Sequence, residues 1–156
     1  MDKKETLMSA REGLVRWIIK SVESVAALLI IAYIINRFFH IQILFDALIA
    51  VTLVLVIAFS HEILHYYQAV QLGYKPKWWR TRFMMGIEIS SHSNRKQWRE
   101  DNRKIAIAPY YFAFPASVFL IILGIKSNIL GYTVAGVASL ILHIFTYTLE
   151  GKEYGS

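Results

Sequence analysis

Ile105–Ile125 (IAIAPYYFAFPASVFLIILGI) and Ile129–Leu149 (ILGYTVAGVASLILHIFTYTL) each run 21 residues without a Lys, Arg, Asp or Glu. A helix needs about 20 apolar residues to cross the hydrocarbon core of a bilayer, so each window is long enough for one crossing. Gly124 to Asn128 between them reads as a tight turn, and Asn36 to His40 as another. Upstream, Ile18–Ile35 carries Lys20 and Glu23 near its start, where long side chains can snorkel to the interface. Ile41 to about Leu72 begins as a span and outlasts one. The expectation is an all-α membrane protein with four transmembrane helices, at about 14–36, 41–72, 105–125 and 129–149. They form a single membrane-embedded domain over residues 1–156. Composition agrees, because 56% hydrophobic residues and a mean hydropathy of +0.42 exceed what an ordinary soluble domain carries. The N-terminal MDKKETLMSAREGLVRW has no small-residue cleavage site before the first span, so no cleaved signal peptide is expected.

The basic residues orient the chain. Of the 17, five lie at or before the start of the first span, nine between Tyr74 and Lys104, and Lys152 follows the last span. Only Arg37 and Lys126 fall in the two short opposite turns, a division of 15 against 2. By the positive-inside rule, both termini and the 74–104 connection are expected on the cytoplasmic side of a cell membrane. The net charge of +6 need not mean nucleic acid, because attraction of the basic connection to anionic headgroups of the lipid bilayer suffices, and no nucleic-acid partner is expected. With no cysteine, disulfides and thiolate metal sites are excluded.

The connection GYKPKWWRTRFMMGIEISSHSNRKQWREDNRK (Gly73 to Lys104) is the one polar region of any size. Its first part, with turn residues Gly73 and Pro76 and then aromatic and β-branched residues, predicts a short β-hairpin or reentrant strand segment between the second and third helices. Its second part predicts an amphipathic lead-in with Trp98 at the interface. His92, within SSHSN, is expected to be a solvated loop residue.

The chemistry lies in AFSHEILHYYQ, Ala58–Gln68, which places ionisable groups at the end of a long apolar run. Such groups are costly in a membrane segment and mark a functional site by default. HEILH fits H-E-x-x-H: on a helix, His61 and His65 at i and i+4 share a face and can both ligate zinc. Glu62 beside them can act as general base towards the attacking water, whose pKa zinc lowers towards about 7. The expected function is zinc-dependent hydrolysis of a peptide bond within or beside the membrane. A haem-binding or other metal-binding helical bundle, and a zinc-bound membrane regulator without turnover, remain as alternatives.

HEILHYYQAVQLGYKPK, followed by IEISS, a basic segment and IAIAPYYFAF, resembles the small membrane proteins grouped as zincin peptidases, similar in outline to the site-2 proteases. The resemblance runs from about Ala58 to Glu150. It implies zinc as cofactor, His61 and His65 as ligands and Glu62 as the catalytic residue. In that family a later acidic residue, usually an Asp after a Gly, is taken as the third ligand; here the corresponding place holds Leu149-Glu150.

A catalytic zinc usually has three protein ligands, and Glu150 and His143 are the candidates for the third. HEILH begins 20 residues after Ile41, some 30 Å along a helix, and Glu150 lies 21 residues after Ile129, at nearly the same level. His143 falls roughly 10 Å deeper, too far to reach the metal unless the helices are staggered or tilted. The expectation is that His61, His65 and Glu150 hold the metal and that His143 lies just outside its ligands as a catalytic group. His143 or Tyr147 would then donate to the oxyanion. Gly131, Ala135 and Ser139 form a small-residue stripe at four-residue spacing, suited to close helix packing in lipid, which continues to His143. Pro109 and Pro115 are expected to kink the third span. An extended peptide or membrane-protein substrate would dock on the strand edge at Phe83–Ser90. A homo-oligomer stays open.

Overall fold

The computed structural model describes residues 10–80, 85–89 and 95–155; His92 lies outside them. Helix α1 (Ala10–Ile34) passes into a π-helical turn, Ile35–Phe39. That turn ends at His40, whose left-handed backbone (φ 52°) lets its N–H reach the Ile35 carbonyl at 3.0 Å. Helix α2 (Gln42–Gln71) has neither Gly nor Pro in its 30 residues, so nothing interrupts its hydrogen-bond ladder. After Gly73 (φ 86°) the chain forms β1 (Lys77–Arg80) and β2 (Met85–Glu88), paired antiparallel with Lys77 opposite Glu88 and Arg80 opposite Met85. Of the Phe83–Ser90 segment, Phe83, Met84 and Ser90 lie outside the described residues. Helices α3 (Arg95–Ile107), α4 (Tyr110–Ser127) and α5 (Leu130–Gly155) complete the chain.

Among the described residues, four helical stretches are long and apolar enough to cross a membrane: Glu12–Phe39, Gln42–Gln71, Lys96–Ser127 and Leu130–Leu149. The third is longer than the apolar window alone implies, because helix begins ten residues before Ile105 and breaks at Ala108-Pro109. Proline has no N–H to continue the ladder, and its ring disfavours helical backbone at the residue before it. Pro109 itself has helical angles (φ −63°, ψ −29°) and opens α4, its carbonyl accepting from Phe112 and Ala113 at 3.1 and 2.9 Å. Pro115 differs: it lies inside α4, which continues through it to Ser127.

Small residues bring the helices together. A Cβ added at Gly136 of α5 would stand 2.6 Å from the Ser117 carbonyl oxygen of α4. One added at Gly131 would stand 2.6 Å from the Asp46 carbonyl oxygen of α2. Ala135 and Ser139 are fully buried, so the stripe read from the sequence faces the packed interior. Asp46 itself is buried near the start of α2, where Gln42 Nε2 donates to its carboxylate at 3.2 Å. Helix α1 leans on α2 through Trp17, whose indole N–H reaches the Phe59 carbonyl at 3.2 Å and whose ring meets the Phe59 ring edge-on at 5.4 Å.

Candidate metal centre

His61, Glu62 and His65 lie in the second half of α2, all half-buried. The spacing puts both imidazoles on one face, and their Nε2 atoms are 3.0 Å apart. His65 Nδ1 is 2.8 Å from the Ile105 carbonyl in the last turn of α3. A carbonyl only accepts, so Nδ1 carries the proton and Nε2 of neutral His65 presents a lone pair. His61 Nε2–H can donate to that lone pair. Alternatively, both lone pairs can meet on one cation. Tetrahedral zinc with Zn–N bonds of about 2.0–2.1 Å holds its ligand nitrogens about 3.3 Å apart, so the pair needs to open by only a few tenths of an ångström. A metal-bound histidine whose other nitrogen is tied to a carbonyl is the usual arrangement for orienting such a ligand. The donor chemistry therefore fits zinc at two positions. Among the described residues, no group of three His, Asp or Glu side chains stands together closely enough to hold a metal ion. Glu150 belongs to α5, but its side chain lies outside the described ones.

His143 departs from the depth expected of it. Its ring centroid lies 5.3 Å from that of His61, and the residue is 3% exposed. The expected 10 Å offset assumed that α2 and α5 enter at equal depth. In the structure Gly131, the second residue of α5, packs on the backbone of Asp46, the fifth residue of α2. That stagger carries His143 towards His61. His143 Nδ1 is 2.7 Å from the Ser139 carbonyl, so its proton too is committed at Nδ1. Neutral His143 can therefore accept a proton at Nε2, whereas donating to an oxyanion from there requires the imidazolium form. Ser139 Oγ and Ser117 Oγ, 3.0 Å apart, extend this buried polar chain into α4.

Tyr110, quoted above only within a motif, is a further part of the site. Its buried ring meets His61 edge-on at 5.2 Å and Tyr147 at 5.0 Å, while its hydroxyl donates to Thr146 Oγ1 at 3.1 Å. The opening of α4 at Pro109 sets it there. Tyr147 is 44% exposed and packs on Tyr110.

Helix α3 is held in turn. Tyr74 donates to Asp101 at 2.9 Å, Lys104 reaches the same carboxylate at 3.4 Å, and the Tyr74 and Trp98 rings lie 5.5 Å apart. Burial, then the hydrogen bond and negative charge of Asp101, holds the Tyr74 phenol above its ordinary pKa, so it stays a donor. This contact ties the chain after α2 to α3, the helix whose Ile105 carbonyl orients His65.

No family model, no curated protein and no solved structure matches this chain.

Proposed function

We propose that this chain is a zinc-dependent peptidase acting within or beside a cell membrane. The observation that carries the reading is the facing pair of Nε2 atoms, 3.0 Å apart, with the His65 proton committed to the Ile105 carbonyl. Zinc bound there would polarise the scissile carbonyl and lower the pKa of the attacking water. Glu62, next to the pair on α2, takes the proton from that water and returns it to the leaving amine. Glu150 would supply the third ligand. His143, within 5.3 Å of His61 ring to ring, lends a second basic nitrogen beside the reacting groups. An unwound substrate segment adds to the β2 edge. On this reading both termini and the 74–104 connection face the cytoplasm, as the excess of Lys and Arg there favours.

Bis-histidine haem ligation needs two imidazoles on opposite sides of an iron. Haem held axially by histidines from two helices would leave Glu62, beside the pair on α2, without a role. The test is metal analysis joined to a proteomic comparison of wild type with Glu62→Gln. Glutamine keeps the shape and cannot accept the proton, so zinc should be retained and cleavage lost. A Glu62→Gln protein that cleaves as wild type does would sink the mechanism. Zinc retained with identical proteomes would favour the non-hydrolytic regulator.

A further inference from the structure

A cleft of about 500 Å³ opens between α2, α3 and the first turn of α4, on the face of α2 next to the histidine pair. Leu64, Gln68 and Gln71 form one wall, at the i, i+4, i+7 spacing of a single helix face. Arg103, Lys104 and Ile107 form the other, and Tyr111, in the first turn of α4, also lines it. The two walls run in opposite chain directions, tied at one level by the 2.8 Å contact between His65 and Ile105. Leu64, Ile107 and Tyr111 are therefore together at an apolar end, and Gln71 and Arg103 at a polar one. Leu64 lies 22 residues after Gln42, about 33 Å along α2, which is one hydrocarbon core away from its start. The apolar end sits at the edge of the core, and the polar end about 10 Å further out at headgroup level.

The cleft carries two cations and no acid. Lys104 shares its charge with Asp101 at 3.4 Å, whereas Arg103 makes no ion pair among the described residues. We propose that this cleft is a binding site for one anionic phospholipid. Its phosphodiester lies on Arg103 with Lys104 beside it, and the polar headgroup bonds to the amides of Gln68 and Gln71. Its acyl chain leaves along Leu64, Ile107 and Tyr111. A guanidinium matches a phosphate oxygen pair in a fixed fork, which distinguishes a site from the diffuse attraction of a basic loop to the membrane. The apolar end favours a lipid over a free phosphate. A bound lipid braces α2 against α3 on either side of the Ile105–His65 contact, whatever reaction the metal centre performs.

The full-length protein in phosphatidylcholine nanodiscs containing a minor fraction of phosphatidylglycerol provides the test, read by native mass spectrometry of retained lipid and by thermal unfolding. One phosphatidylglycerol should be retained in preference to phosphatidylcholine and should raise the melting temperature. Arg103→Gln should cut that preference about fivefold, the worth of one basic side chain at a membrane surface. Gln71→Glu, an exposed change at the polar end, should do so too if the arginine variant folds poorly. Lys126→Gln, at the far end of α4, should leave the preference intact. Equal retention of the two lipids would overturn the proposal, as would equal loss in Lys126→Gln. Inorganic phosphate that stabilises the protein as well as the lipid does would also overturn it.

Discussion

Gly131→Ala tests the contact that sets the depth of α5. The added Cβ would stand 2.6 Å from the Asp46 carbonyl oxygen and 3.1 Å from Asp46 Cα. An ordinary contact begins near 3.4 Å, so the helices must part by about 0.8 Å at this point, and backbone cannot swing aside as a side-chain tip can. Overpacking of this kind costs about 1–3 kcal/mol, which is about a 5- to 150-fold fall in the folded-to-unfolded ratio. Because α2 and α5 are both rigid, the separation is transmitted along the helices to the His61–His143 contact, 12 residues further on along α5. Equilibrium unfolding of the detergent-solubilised protein measures the first effect. Gly73→Ala is the comparison, since nothing lies within 4 Å of its added Cβ and only the positive φ is strained. A Gly131→Ala protein as stable as wild type would refute the close approach of α5 to α2 and, with it, the stagger that brings His143 to the pair.

Glu150→Ala should weaken zinc binding strongly and abolish activity, while His143→Ala should keep zinc; chelator competition reads both, and the opposite pattern would exchange the two roles. Tyr74→Phe should cost about 1 kcal/mol at neutral pH by removing the bond to Asp101. Since the folded Tyr74 pKa lies above 10.0, its contribution is full below that pH and is lost as pH rises through the folded value. Tyr74→Phe should therefore flatten the alkaline limb of the stability profile; an unaltered limb would remove Tyr74 from the account. Proline at successive positions of Met85–Glu88 should slow cleavage wherever it removes an outward amide and leave zinc content unchanged. Unaltered turnover across that scan would exclude the strand edge as the substrate dock.

What the sequence determined by itself follows from local rules and from the solvent. Lipid demands apolar helices of a minimum length, so Ile105–Ile125 and Ile129–Leu149 announce two spans without any knowledge of their neighbours. The shared face of His61 and His65 is equally local, a property of four-residue spacing on one helix. The stripe of Gly131, Ala135, Ser139 and His143 was legible for the same reason. Its partners were not, because nothing in the stripe says that Gly131 meets Asp46 or that Gly136 meets Ser117. Counting residues from the turns placed His143 too deep, since two helices that enter from one side need not enter at one level. That level is a tertiary quantity, decided by where backbones can touch. The orientation of the metal-binding pair is tertiary as well. His65 takes its tautomer from the carbonyl of Ile105 and His143 takes its own from that of Ser139. A backbone carbonyl is present at every position, so only packing selects which one a histidine meets.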